Sequence, residues 1–468
     1  MPEHKKFAAV VLAAGLGTRM KSELPKVLHC LGGMSLIERV IRKTATLSPE
    51  KIIVVTGHKA AMVESELRQK LEKEPFLKKT VFFRQKLLKG SGRAVQEAMA
   101  LIRKHSHVLV LCGDAPLFRE TTAKKMAASY FKHRPDCLVM TAELSEPGAY
   151  GRIKRGPDGL VCAIIEADEA RPAELDVKEV NSGVYLFNVK ALAAALKRLK
   201  KKGDKGEYYL TDALENILSA GGKVSAFRLE DPSEMTGINS RAGLAGAYKT
   251  LNARKNGELM ADGVTIVDPD NTYIDESVKV GRDTVIFPGM MLKGRTVVGK
   301  NCRLGPYGII EDSVIENGCE IKFGCCLFQS RVRALSVVGP VAHLRPASDI
   351  GPQAKVGNFS EIKKSRIGRG SKVPHLSYIG DTIMGGGVNV GAGTITCNYD
   401  GKNKNRTVIG DAVFIGSNAN LVAPVKIGAG ALVAAGSTIT EDVPPGKLVL
   451  ARARQVIKDL KSKKKANP

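Results

Sequence analysis

The sequence predicts an α/β domain with a mostly parallel sheet, followed by a parallel β-helix of hexapeptide repeats. Three observations carry this. Over residues 1–238, short apolar strand-like runs alternate with helical stretches. Across residues 263–453, one aliphatic residue keeps returning at the sixth position. Residues 239–262 lie between, where Leu244, Ala247, Leu251 and Leu259 have the spacing of a connecting helix. Residues 454–468 form a basic tail.

In the first region the strands fall at Phe7–Leu12, Ile52–Val55, Val81–Phe83, Val108–Leu111 and Leu138–Thr141. The helices fall at Ser35–Ala45, Ala60–Leu71, Ala94–Arg103 and Thr121–Phe131. That alternation implies a Rossmann-like sheet covered on both faces, with ligands at the carboxyl ends of its strands. In the second region the clearest run is Ile409, Ile415, Leu421, Ile427, Val433, Ile439; another is Val332, Val338, Leu344, Ile350, Val356, Ile362. A helix repeats at about 3.6 residues and a strand at two, so a strict six fits a solenoid whose turns have three flat faces. Steps of five residues, at 310→315, 327→332, 362→367 and 379→384, mark coils shortened at one corner. Three hexads to a coil give roughly nine coils, stacked ~4.8 Å apart.

At 468 residues, with 43% apolar and 25% charged side chains, the chain has an ordinary globular composition. Its formal charge of +25 points to anionic partners such as nucleotides and sugar phosphates. Part of that excess lies in runs such as Lys197–Lys202 and Lys458–Lys465, which read as solvated surface. Nucleic acid is not expected, because no aromatic-interleaved RNA motif occurs and there is no Trp. Nine cysteines without a CxxC pair argue against zinc and suit reduced thiols in a cytoplasm. His4–Lys6 before Phe7–Ala14 imitates a signal peptide, but the apolar run is short and enters a glycine-rich turn, so secretion is not expected. No apolar stretch has the length of a membrane span.

The first chemical signature is Leu12-Ala13-Ala14-Gly15-Leu16-Gly17-Thr18-Arg19-Met20, followed by Pro25-Lys26. A strand running into such a turn lets backbone N–H groups approach a phosphate chain, and Arg19 and Lys26 add positive charge. It is not the dinucleotide GxGxxG, since Met20 takes the place of the third glycine, nor the phosphate loop GxxxxGK[ST]. Gln85 and Gly90-Ser91-Gly92 follow a strand and open a helix. Cys112-Gly113-Asp114 ends a strand, where a carboxylate either caps a helix or meets Mg²⁺ on phosphates; beside the glycine loop the metal is favoured. In the solenoid, the stretch holding Gly357-Asn358-Phe359 and Glu361 leads to His375, which follows the inward Val373 and should point outward. A lone histidine is more often structural. Among Arg345, Lys363, Tyr378 and Lys404 it suits a general base beside an anionic substrate. The stretch Asn389–Lys404 breaks the hexads, and an extruded Gly/Asn/Lys-rich loop explains it.

The string LAAGLGTRM…PKVLH resembles the signature of sugar-1-phosphate nucleotidyltransferases. With GEYYLTD and NVGAGTITCNYDGKNK, the chain from Phe7 to about Arg452 resembles one bacterial family, the bifunctional N-acetylglucosamine-1-phosphate uridyltransferase/glucosamine-1-phosphate N-acetyltransferases. The resemblance implies a left-handed β-helix, against the usual right-handed crossover. It implies acetyl transfer from acetyl-CoA to glucosamine 1-phosphate, then Mg²⁺-dependent uridylyl transfer from UTP with release of pyrophosphate. The product would supply peptidoglycan and lipopolysaccharide synthesis.

By the same resemblance, Leu12, Ala13, Ala14, Gly15, Gln85, Gly90 and Ser91 bind UTP, with the catalytic Lys26 and Arg19 at its phosphates. Asp114 and Asn239 hold Mg²⁺, and Gly151, Glu166 and Asn181 grip N-acetylglucosamine. Arg345, Lys363, Tyr378 and Asn389 bind glucosamine 1-phosphate, and His375 takes the proton from its amine. Ala392, Asn398, Tyr399, Lys404, Ser417, Ala435 and Arg452 belong to the acetyl-CoA site. A homotrimer is implied, with acetyl-transfer sites between subunits and Lys404 completing a site whose His375 is another chain's. Cys112, Ser91 and Arg93 depart from the pattern, standing where an aromatic, a threonine and a histidine are usual. The alternative is a single-activity sugar-1-phosphate nucleotidyltransferase with a structural β-helix. It would lack His375 and NYDGKNK; both are present.

Overall fold

The computed structural model describes residues 6–202 and 206–459, so 460–468 of the basic tail, and His4 of the amino-terminal run, lie outside the described residues. The chain divides into two compact units between Leu251 and Asn252, within the helix Arg241–Ala261.

In the first unit, five expected strands are present as Phe7–Ala13, Lys51–Thr56, Thr80–Arg84, His107–Cys112 and Cys137–Glu143. The helices Leu36–Thr46, Ala60–Lys70, Ser91–Ile102 and Glu120–His133 stand where helical spacing puts them. Successive residues of the first strand serve opposite faces: Phe7, Ala9, Val11 and Ala13 join one core, Ala8 and Val10 the other. A strand buried on both sides must be apolar throughout, which is why it reads as one continuous run. Across the sheet the strands follow the order 224–228, 137–143, 179–188, 107–112, 7–13, 51–56, 80–84. Only Glu179–Asn188 runs against the rest of this row, antiparallel to both neighbours. The sequence did not announce that strand, because Asn181-Ser182-Gly183 interrupts it and its register shifts between Asn181 and Tyr185.

In the second unit the strands run from Thr265–Ile266 to Leu448–Val449 and form three parallel sheets of 11, 10 and 9 strands. The inward aliphatic residues make one continuous buried core, with Val280 half-buried against it. The five-residue steps all fall between the second and third faces, as from Ile309–Glu311 to Val314–Ile315. The extruded loop leaves this same corner, between Ile395–Cys397 and Thr407–Ile409. The hexads alone gave no sign of the buried serines and threonines at the bends. Ser336, for example, donates to the Gly351 carbonyl at 2.6 Å and accepts from the Ala354 N–H at 3.2 Å, satisfying backbone groups between coils.

Candidate active sites

In the first unit the expected ligand residues collect at the carboxyl ends of the parallel strands. Leu12 is half-buried and Ala13 and Ala14 are buried, and the chain emerges at Gly15 into the turn carrying the exposed Arg19. Gly17 has a left-handed φ of 63°, and a Cβ there would lie 2.6 Å from the Lys26 Cβ. The turn thus folds back on Lys26, whose ammonium donates to the Asp114 carboxylate and, at 2.9 Å, to the Asn239 side-chain oxygen. Two hard oxygen donors therefore converge on one cation, the chemistry that Mg²⁺ takes from protein. Among the described residues no cluster of three His, Cys, Asp or Glu side chains makes a fuller metal cage.

Gln85 is buried beyond the strand Thr80–Arg84, its amide donating to the Leu87 carbonyl at 2.6 Å. The Ser91 hydroxyl accepts from the Leu210 N–H at 3.2 Å, and the Gly92 N–H donates to the Tyr208 carbonyl at 2.8 Å. These bonds lay the GEYYLTD segment over the Gly90 turn. Thr211 then donates to Glu166 Oε1 at 2.8 Å. Glu166, Gly151 and Asn181 are brought together: a Cβ on Gly151 would lie 3.3 Å from Glu166 Oε2, and the Asn181 N–H donates to the Gly151 carbonyl at 2.8 Å. Burial raises the Glu166 pKa, against the bond from Thr211. The Asn181 amide donates to the Tyr185 hydroxyl at 2.7 Å, which fixes its orientation. Of the departing residues, Cys112 lies against Gly183, its thiol pushed up to about 12 by burial and then by the Asp114 charge. Arg93 turns to Glu97 and Gln96 of its own helix.

The β-helix arranges its expected residues along two corners. Parallel register sets Val390 over Ile415, Ile415 over Val433 and Val433 over Val449. The residues two positions further, Ala392, Ser417 and Ala435, form a column rising ~4.8 Å per coil. Its rungs are tied by the Asn418 N–H to the Ala392 carbonyl at 2.7 Å and the Gly436 N–H to the Ser417 carbonyl at 2.8 Å. Arg452 closes it, donating to the Ala435 carbonyl at 2.8 Å. His375 heads the same column one coil before Ala392, since Lys372 pairs with Asn389. The half-buried Asn389 thus sits on the adjoining face.

The next corner is cationic. Arg345 and Lys363 occupy it in successive coils, and Arg345 pairs with Glu361 at 2.9 Å. The Lys363 pKa is lowered, first by the Lys404 ammonium beside it, then by burial and by Arg345. Such a corner suits a phosphate. Gly380 follows in the column, and a Cβ there would lie 2.5 Å from the Tyr378 hydroxyl and 2.7 Å from Asn398 Nδ2. The absence of a side chain lets these two groups lie over the backbone, with Asn398 donating to Asp381 at 2.6 Å. The loop closes on itself. The Asp400 carboxylate accepts from the Asn403 and Lys402 N–H groups at 2.7 and 2.8 Å, which hold its pKa down to about 2. Lys404 lies 5.5 Å over the exposed Tyr399 ring. Because Lys404 lies beside Lys363 of its own chain, a single chain brings it to this corner.

Sequence reading gave no role to three residues that hold the site in place. Thr211, within the GEYYLTD motif, orients Glu166, and Tyr185, outside every motif, orients Asn181. Asn358 lies 2.6 Å from His375 Nδ1. It lies in the Gly357-Asn358-Phe359 stretch, but the sequence signal for its partner is only its position seventeen residues, one coil, before the histidine.

This fold and these sites define a nucleotidyltransferase domain joined to a hexapeptide-repeat acyltransferase domain. The family model for a MobA-like NTP transferase domain matches residues 9–217, and that for a bacterial transferase hexapeptide (six repeats) matches residues 406–441. The chain is 45% identical over 455 residues to the bifunctional protein GlmU of Caldanaerobacter subterraneus subsp. tengcongensis, covering 97% of each. It is 46% identical over 450 residues to that of Carboxydothermus hydrogenoformans, covering 96% of this chain and 98% of the relative. It is 42% identical over 463 residues to that of Koribacter versatilis, covering 98% and 97%. The chain belongs to the family of bifunctional GlmU proteins, and its hexapeptide β-helix is of the left-handed kind. Among the described residues no helix is long and apolar enough to cross a membrane.

Proposed function

We infer that the chain makes UDP-N-acetylglucosamine in two steps, each carried by one unit. Acetyl passes from acetyl-CoA to glucosamine 1-phosphate, and uridylyl then passes from UTP to N-acetylglucosamine 1-phosphate. The observation that carries the pair is their coexistence in one chain. Lys26, Asp114 and Asn239 converge beside a glycine turn, while His375 heads a column next to the Arg345–Lys363–Lys404 corner.

In acetyl transfer, the corner cations hold the phosphate and the column accommodates the long arm of coenzyme A. His375 takes a proton from the amine as nitrogen attacks the thioester carbon; the C–N bond forms, the C–S bond breaks, and coenzyme A leaves as the thiol. In uridylyl transfer, the sugar-phosphate oxygen attacks the α-phosphorus and pyrophosphate leaves, so this unit mainly positions groups and neutralises charge. Lys26 supplies positive charge at the phosphates; Gly151, Glu166 and Asn181 grip the sugar. Asp114 and Asn239 would hold Mg²⁺, which when bound offsets the charge of UTP and the departing pyrophosphate. The flat faces of the β-helix fit a homotrimer, and nine free thiols support a cytoplasmic setting. The direct test supplies acetyl-CoA and glucosamine 1-phosphate, then UTP with Mg²⁺. Release of free CoA, followed by pyrophosphate only after UTP, is expected; pyrophosphate without any CoA release would favour the single-activity alternative.

A further inference from the structure

We propose that Asn358 is a positioning residue for acetyl transfer, its side-chain oxygen accepting the Nδ1 hydrogen of His375 so that Nε2 is left free to take a proton. The inference rests on the reading of His375 as the general base. His375 is exposed at the end of the strand Lys372–His375, so packing alone does not fix its ring. Asn358 ends the strand Lys355–Asn358 one coil earlier, and the two residues are partners in the parallel ladder. The Asn358 oxygen and the His375 Nδ1 lie 2.6 Å apart.

An amide oxygen can only accept, so the ring nitrogen facing it carries the hydrogen. In a neutral imidazole the lone pair then belongs to Nε2. The backbone holds both partners at the same bend: the Leu376 N–H donates to the Asn358 carbonyl at 3.0 Å, and Phe359 and Leu376, the next residues, share left-handed φ values of 54° and 45°. Left-handed backbone is uncommon for such side chains, and here it turns the chain just beyond each partner. Once the ring has taken the proton, the same bond becomes charge-assisted and stabilises the imidazolium. Because the acceptor is neutral, it does so without the pull of a carboxylate, and the proton can pass on to the departing sulfur.

The test compares steady-state kinetics of Asn358→Ala, Asn358→Asp and His375→Ala in the full chain. Loss of one orienting hydrogen bond should lower kcat for CoA release about tenfold in Asn358→Ala, with KM for both substrates changed less than about twofold. Asn358→Asp keeps an acceptor at the same place and should recover most of the loss. Wild-type kcat in Asn358→Ala, with His375→Ala inactive, overturns the proposal while leaving the base in place. A raised KM at unchanged kcat overturns it too, since Asn358 would then bind substrate. Full CoA release by His375→Ala removes the base itself, and the proposal with it. If Asn358→Ala does not fold, judged by circular dichroism, Asn358→Ser is read by the same criteria.

Discussion

At the scale of single residues, His375 and Glu166 make the most specific demands. General-base assistance contributes about 10²–10⁴-fold, so His375→Ala should slow CoA release by that order while pyrophosphate release continues. A fall of under about threefold would mark the histidine as structural. Glu166 is a carboxyl whose folded pKa is raised, chiefly by burial. Between its unfolded and folded values the native state holds the extra proton, so stability falls as pH rises through that window. Glu166→Gln abolishes this titration. Its melting temperature relative to wild type should therefore climb as pH rises above the ordinary glutamate pKa, while KM for N-acetylglucosamine 1-phosphate increases; a difference independent of pH contradicts the buried carboxyl. The charged and glycine members of both sites were legible as motifs, and the structure brings Lys26, Asp114 and Asn239 together from positions 213 residues apart. What holds such groups in place was not legible. Thr211 and Asn358 act through single hydrogen bonds whose partners only the folded chain brings near, and Tyr185 bonds Asn181 across a register shift that the sequence does not show.

At the scale of elements, the β-helix depends on identical coils stacking without gaps. Ile379 is fully buried in that core, and Ile379→Ala should destabilise the second unit by about 2–5 kcal/mol, read by denaturant unfolding. Close approach of coils sets the opposite limit. A Cβ on Gly357 would lie 1.8 Å from the Pro374 carbonyl oxygen, at the junction that carries Asn358 and His375. Gly357→Ala should therefore cost about 1–3 kcal/mol by overpacking and lower CoA release, with pyrophosphate release retained; normal CoA release would show that this junction tolerates movement. The solenoid was readable because each coil must bury one aliphatic residue per face, a period no other element shares. The reversed strand Glu179–Asn188 was not, because Asn181-Ser182-Gly183 breaks its apolar run. Loop placement was readable as an interruption, whereas its self-closure around Asp400 was a matter of backbone geometry.

At the scale of the whole molecule, the proposed homotrimer predicts a solution mass about three times the 50.1 kDa of the chain. Light scattering that finds a fully active monomer would remove the need for subunit-shared sites, in which the Lys363–Lys404 corner of one chain would meet the His375 of another. The central claim is that one chain carries two chemically independent sites, one in each compact unit. Asp114 receives the Lys26 ammonium in the first unit, and His375 heads the Ala392–Ser417–Ala435 column in the second. The most direct test measures CoA and pyrophosphate release side by side in the Asp114→Ala protein, across a range of Mg²⁺. Pyrophosphate release should vanish while CoA release stays within about twofold of wild type. Substantial uridylyl transfer by this variant, or a matching collapse of CoA release in a folded protein, would contradict two independent sites.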